Sequence, residues 1–385
     1  MKKGRVIKMR LIHLSDLHIG KRVNEFSMIE DQKYILTRIL NIIDEEKPDA
    51  VIIAGDVYDK SAPSEEAVSL FNDFMTRLSK RQMQVFIISG NHDSAVKLSF
   101  ASEIIDRSGI HFSPVYDGKI KAFEIGNKDE KAVIHMLPFI KPAIVRNIFP
   151  DEEINDYTDA VRVAIEHMNI DDKVCNILVA HQFVTGASRS ESEEISVGGL
   201  DNVNASVFDA FDYVALGHIH GPQHIGRDNV RYCGTPLKYS FSESGHNKSV
   251  TVVDINRDNA VDIRTVPLIP LHDMRCIKGT YEELTNKKNY ENTAVEDYLQ
   301  ITLTDEEDIL DAMGKLRIIY PNLMVLRYDN KRTRENNVIN SVEGENRSPL
   351  ELFEEFYELQ NNQPMSDEQR SFMTELITDI WEKDQ

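Results

Sequence analysis

Six short runs of apolar, mostly branched residues, at 11–14, 50–54, 85–88, 133–137, 177–180 and 214–216, do most to limit how this chain can fold. Runs this short suit strands buried on both faces. Between the first three lie two segments of helical period. One carries Ile35, Leu36, Ile39, Leu40 and Ile43 on a face, and the other, starting near Ser64, carries Val68, Phe71, Met75 and Leu78. Strands alternating with amphipathic helices predict an α/β domain with helices on the sheet faces.

A polar motif stands where five of these runs stop: Asp16-Leu17-His18, Gly55-Asp56-Val57-Tyr58-Asp59, Gly90-Asn91-His92-Asp93, Ala180-His181-Gln182 and Gly217-His218-Ile219-His220. Loops beyond the carboxyl ends of strands converge on one crevice, so motifs far apart in sequence are expected to share a site. Asp16 and His18 lie two apart, as do His218 and His220, and each pair can face one side in extended backbone. Glycines 55, 90 and 217 are expected to permit the tight turns that deliver these side chains. Carboxylates, an amide and imidazoles together make the mixed oxygen and nitrogen set that suits two hydrolytic ions of the manganese or iron type. The remaining histidines match no motif. His13 and His135 lie inside apolar strands and are expected to be packed, while His111, His167, His224, His246 and His272 read as surface or loop residues.

The motif series resembles the calcineurin-like metallophosphoesterases, over roughly residues 10–255. Within that superfamily it is most similar to the SbcD-like nucleases. The narrower likeness rests on Ile12-His13-Leu14-Ser15-Asp16-Leu17-His18-Ile19-Gly20-Lys21, on Gly234-Thr235-Pro236-Leu237-Lys238-Tyr239-Ser240-Phe241-Ser242-Glu243, and on the C-terminal tail. The resemblance implies two packed sheets flanked by helices, a small α+β cap and a C-terminal helical hairpin. It implies that Asp16, His18 and His220 hold one metal, that Asn91, His181 and His218 hold a second, and that Asp56 bridges them. His92 is then the catalytic acid or transition-state stabiliser rather than a ligand, and Asp59 an orienting group. The implied activity is ATP-regulated exonuclease action on double-stranded DNA ends with endonuclease action on hairpins or single strands, in repair, recombination and replication. Protein phosphatases of the superfamily carry arginines beside these motifs. Here Lys60-Ser61 and Ser89 stand at those places, which tilts against a phosphomonoester pocket. The loop 185–199, Arg189 included, is a candidate lining of the substrate groove. A small-nucleotide phosphodiesterase and a DNA-end adaptor for an ATPase are the rival readings.

Charge sits awkwardly with DNA binding. The chain carries −20 overall, the opposite of the usual nucleic-acid footprint. Residues 341–385 hold twelve acidic against three basic side chains, so −9 of the excess lies in a tail far from the motifs. Bound metal cations also add positive charge that a residue count misses. The acidity still argues against tight DNA binding by this chain alone. Cys175, Cys233 and Cys276 have neither zinc-site nor disulfide spacing, which suits a reducing cytoplasm. No apolar run is long enough to span a bilayer, and 11–14 is too short for a signal peptide. Met9 opens a natural strand, so 1–8 reads as an upstream extension.

Four segments result: a nuclease domain at 1–266, a cap at 267–329, a linker at 330–347 and a helix-loop-helix at 348–385. Pro267 and Pro270 punctuate the first boundary. In the cap, strands are expected near 274–278, 298–303 and 324–327, with capping boxes at Thr280/Glu283 and Thr304/Glu307. In the tail, Ser348, Pro349 and Glu351 start one helix, with Leu352, Phe353, Phe356 and Leu359 as its stripe. Ser366 and Gln369 start the other, with Phe372, Met373, Leu376, Ile377, Ile380 and Trp381. A hairpin this small cannot bury both stripes by itself and needs a partner surface. The resemblance supplies one, an SbcC-type ATPase, within a heterotetramer built on a homodimer of this chain.

Overall fold

The computed structural model describes residues 7–99, 109–127, 130–193, 201–256, 259–330, 350, 353–354, 356–357 and 364–383. The first strand, β1 (Ile7–Leu14), begins two residues ahead of Met9, so the end of the expected extension belongs to the sheet. Helix α1 (Ile29–Glu46) buries Ile35, Leu36, Ile39, Leu40 and Ile43, as its period requires. Helix α2 (Glu65–Lys80) starts from Ser64, whose hydroxyl accepts the Ala67 N–H. Its buried stripe is Ala67, Phe71, Phe74, Met75 and Leu78. Val68, expected on that stripe, is 45% exposed, because the face is turned by one residue towards Ala67 and Phe74.

Two six-stranded sheets carry the larger unit. In the first, β2 (Ala50–Ala54), β3 (Gln84–Ile88) and β4 (Ile110–Ser113) extend parallel from β1. The second is built from β5 (Lys121–Asn127), β6 (Glu130–Leu137), β7 (Cys175–His181), β8 (Tyr213–Gly217), β9 (Gln223–Ile225) and β10 (Arg227–Tyr232), with β6, β7, β8 and β10 parallel. The antiparallel pair β11 (Ser249–Asn256) and β12 (Val261–Pro267) closes the first sheet beyond β1. Between the sheets lies a core of Leu11, Ile52, Phe86, Ile134, Ile177, Val179 and Tyr213 among others. Ile52 faces it while its buried neighbours Val51 and Ile53 point the other way, the period-two alternation of a strand covered on both faces. A second core lies under helix Tyr157–Glu166, where Val161 and Ala164 pack with Leu178, Val214 and Leu216. The parallel strands β1, β2, β3, β7 and β8 are those that carry the motifs, so the fold aims their C-terminal ends at one rim.

The chain divides into two compact units, Met1–Cys276 with Glu296–Leu299, and Ile277–Val295 with Gln300–Gln385. A three-stranded sheet forms from β13 (Met274–Gly279), β14 (Tyr298–Leu303) and β15 (Leu323–Tyr328). Thr280 and Glu283 make the expected capping box. Thr304 does not cap a helix. Its N–H pairs with the Gly279 carbonyl at the end of the sheet, and the next helix starts only at Ala312. Asn330, expected to open the linker, is buried and donates to the Asp305 carbonyl. In the tail, helix Asp367–Lys383 has the expected start, with Ser366 and Gln369 exchanging backbone and side-chain bonds. Gln369 also donates to the Tyr357 hydroxyl, and Arg370 pairs with Glu354, so two helical segments meet there. Phe372 and Leu376 are exposed. The linker 331–347, the helix start at Ser348, Pro349 and Glu351, Leu352, Leu359 and 194–199 of the loop lie outside the described residues, as do the side chains of Ile380 and Trp381. Among the described residues no helix is long and apolar enough to cross a membrane.

Candidate metal centre

Backbone bonds knit the motif loops before any side chain is considered. Asp16 N–H donates to the Gly55 carbonyl at 3.0 Å, and His18 N–H to the Asp56 carbonyl at 3.0 Å. The Asp93 carboxylate accepts from the N–H groups of Gly90, Val57 and Tyr58, tying the third loop to the second. Asp16 in turn accepts the His218 N–H at 3.0 Å.

The loops reach this arrangement through strained backbone. Asp16, His18, Asp56 and His218 have φ of 51°, 43°, 49° and 101°. L-residues other than glycine seldom adopt such values, and they gather at functional sites. Gly90 and Gly217 serve close approach rather than the turning expected of them. A Cβ on Gly90 would lie 2.0 Å from Asp56 Oδ1, and one on Gly217 would lie 1.8 Å from the Ala54 carbonyl.

The candidate ligand atoms fall into overlapping groups. Asp16, His18 and His220 each bring an atom to within 4.8 Å of the others, with His18 Nε2 3.1 Å from His220 Nε2. Asn91 Oδ1 lies 3.1 Å from His181 Nε2 and 3.0 Å from His218 Nδ1. Asp56 Oδ2 stands between, 3.3 Å from His181 Nε2 and 3.7 Å from His18 Nε2. All are buried but Asn91, which is half-buried. Burial pushes His18 well below the ordinary imidazole range and His218 down to about 3, so both keep the lone pairs a cation needs. Burial also raises Asp16 to about 6. For Asp56 burial opposes the charge, yet the neighbouring His181 holds it well below the usual carboxylate range. His181 Nδ1–H donates to the Ala54 carbonyl, which fixes the ring and turns Nε2 inward. His18 Nδ1 and His218 Nε2 are buried without a hydrogen-bond partner. Buried carboxylates, an amide oxygen and inward imidazoles fit divalent cations by donor chemistry.

His92 stands at the edge of this group, 3.9 Å from Asp56 Oδ2 through Nε2, and is one of the three residues in a further close triad with His18 and Asp56. Its Nδ1–H donates to the Asp59 carbonyl at 3.0 Å, while its own N–H donates to Asp56 Oδ1. The Asp59 carboxylate pairs with Lys21 at 2.8 Å. His13 and His135 are buried, bonded to Tyr213 and Asn176. His272, on a loop as expected, is bound to buried Asp31.

Sequence reasoning did not single out Gln32, Ser192, Glu193, Tyr239, Glu243 or Lys248 for the centre. Gln32 donates to the His18 carbonyl and Tyr239 to the Leu17 carbonyl, and the other four surround His220. Tyr239 and Glu243 sit in the stretch 234–243 that carried part of the family likeness, the one signal that pointed to them. Arg189 stacks on Phe183 at 3.5 Å and is held by the Asp201 carboxylate at 2.9 Å.

Comparison with known proteins follows the same division. The calcineurin-like phosphoesterase family model matches residues 9–222, and the model described as type 5 capsule protein repressor C-terminal domain matches residues 270–361. A curated protein of Staphylococcus epidermidis, the SbcD subunit of the SbcCD nuclease, is 32% identical over 98% of this chain and 100% of its own length. Among solved structures, TT1561 of Thermus thermophilus is 11% identical at a TM-score of 0.39, over 68% of this chain and 99% of that one. A novel archaeal phosphodiesterase is 13% identical at a TM-score of 0.30, over 67% and 100%.

Proposed function

The chain belongs to the calcineurin-like phosphoesterases and, within them, to the SbcD family of nucleases, and from that membership we propose that it is the DNA-cutting component of an SbcCD-type complex. The observation that carries the reading is the convergence of Asp16, His18, Asp56, Asn91, His181, His218 and His220 from five strand ends. Asp16, His18 and His220 would hold one divalent ion, Asn91, His181 and His218 a second, and Asp56, with two oxygens, both. When bound, such ions supply Lewis-acid charge at the phosphoryl oxygens and acidify water to near-neutral pKa. The protein's own part is to place a proton. With Nδ1–H held by the Asp59 carbonyl, His92 presents Nε2 to the crevice. As the imidazolium, protonated on both nitrogens, it can give the Nε2 proton to the leaving oxygen and return to the neutral Nδ1–H form. Asp93 keeps the His92 loop against the Asp56 loop.

Manganese is the metal we favour, since imidazole and amide donors suit it better than magnesium, which prefers oxygen ligands and its own water. The DNA substrate and the SbcC-type ATPase partner follow from the family. The C-terminal helices are our choice for the ATPase contact, within a heterotetramer built on a homodimer of this chain. Residues 267–329 we take as the cap. Cytoplasmic residence belongs to the same reading, and Cys175, Cys233 and Cys276 are not joined in disulfides.

The test is cleavage of hairpin and linear DNA by chelated protein, with and without the ATPase and ATP, after manganese or magnesium is returned. Cleavage restored by manganese, poorly by magnesium, and modulated by ATPase and ATP is expected. Equal rescue by magnesium would overturn the metal choice, and no cleavage of either DNA under any condition would overturn the nuclease.

A further inference from the structure

His220 is held by groups outside all five motifs. Its Nε2 faces His18 in the crevice, which leaves Nδ1 pointing away, 2.6 Å from Ser192 Oγ. Ser192 Oγ lies 2.5 Å from Glu243 Oε1, and Glu243 is fully buried. Its other oxygen takes a 2.5 Å bond from Lys248 Nζ, and the same ammonium donates to Thr235 Oγ1 at 2.6 Å and to the His220 carbonyl at 2.9 Å. Three protons of Lys248 thus meet three acceptors, one of them on His220 itself.

The direction of this chain follows from the chemistry of its ends. A carboxylate paired with an ammonium only accepts, so the Ser192 hydroxyl donates to Glu243. Its lone pair then accepts a hydrogen bond from the His220 Nδ1–H, so Nδ1 carries the hydrogen and Nε2 the lone pair. We propose that Ser192 and Glu243 are positioning residues of the metal centre, which fix His220 in the Nδ1–H tautomer with Nε2 aimed at the ion shared with Asp16 and His18. Partners behind a ligand fix its orientation and basicity, and their loss commonly costs about 10- to 100-fold in metal affinity. Glu193 adds a second hold, taking the His220 N–H at 2.6 Å and the Ser190 N–H at 2.6 Å. Ser192 and Glu193 lie in the segment that follows β7, so His220 is held by a part of the chain outside its own strand end. The proposal rests on His220 being a ligand, as given under Proposed function.

The test titrates Mn2+ into stripped full-length protein and its Ser192→Ala, Ser192→Thr, Glu243→Gln and His220→Ala variants, and reads the His220 tautomer by 15N NMR of histidine-labelled protein. Ser192→Ala should weaken one of the two ions by about tenfold or more, leave the other at wild-type affinity, and lose the single Nδ1–H form. Ser192→Thr, which keeps the hydroxyl, should restore both. Glu243→Gln should behave as Ser192→Ala or worse, and if it fails to fold the serine pair decides alone. Wild-type affinity and tautomer in Ser192→Ala, beside loss of an ion in His220→Ala, would overturn the proposal and leave the ligand set standing. Two ions retained by His220→Ala would overturn the ligand assignment, and the proposal with it.

Discussion

Four of the seven side chains proposed to hold metal hang from left-handed backbone, at Asp16, His18, Asp56 and His218. Each such residue costs on the order of 1–3 kcal/mol and persists only where its surroundings over-determine it. Here the surroundings are bonds between loops: Asp16 to Gly55, His18 to Asp56, His218 to Asp16, and three N–H groups to Asp93. Ligation and proton transfer should separate cleanly on this frame. His92→Ala should keep both metals and cut turnover by roughly a hundredfold or more, the scale of general acid–base catalysis. Asp56→Ala should lose metal instead. Elemental analysis beside turnover checks both, and a His92→Ala protein with an emptied site would make His92 a ligand, in line with its place beside His18 and Asp56. The candidate ligands were legible because each ends an apolar run at a fixed spacing. Ser192, Glu193 and Lys248 were not. Serines, glutamates and lysines in polar loops carry no period, and only the folded path of the chain brings them to His220. The strain was equally hidden, since nothing in Asp16-Leu17-His18 announces a positive φ.

Among the elements, the strands were readable from sequence because burial on both faces leaves short uninterrupted apolar runs. Boundaries and faces were readable only where a specific bond enforces them. Ser64 caps α2 and Thr280 caps its helix, each with its hydroxyl on a backbone N–H. Thr304 and Glu307 have the same spacing, but the Thr304 N–H is already committed to Gly279 across the sheet. The face of α2 departs from its simple period at Val68 because Phe74 turns the buried stripe. The inter-sheet core is what makes the motif-bearing rim rigid, and Phe86 is among its largest members, fully buried and stacked on His111. Phe86→Ala should therefore cost about 3–5 kcal/mol. Urea unfolding of metal-free protein measures this, and a loss below about 1 kcal/mol would mean that the two sheets do not depend on that packing.

At the scale of the whole chain, the −20 charge and the phosphodiester substrate are reconciled only if cations and a partner bring DNA to the site. Exposed Phe372 and Leu376 on the last helix are the apolar anchors we assign to the ATPase. Truncation after Asp329 should abolish co-purification with the ATPase while metal content and basal, ATP-independent cleavage survive. The double change Phe372→Asp and Leu376→Asp should do the same at full length. A truncated protein that still assembles would place the contact elsewhere, and one that loses metal would tie the tail to the centre. We propose that five strand ends make one two-metal centre. Anomalous scattering at the manganese edge from crystals of the loaded protein tests it most directly. Two peaks are expected, one contacted by Asp16, His18 and His220, the other by Asn91, His181 and His218, with Asp56 touching both. A single peak, or a peak ligated by His92, would contradict it.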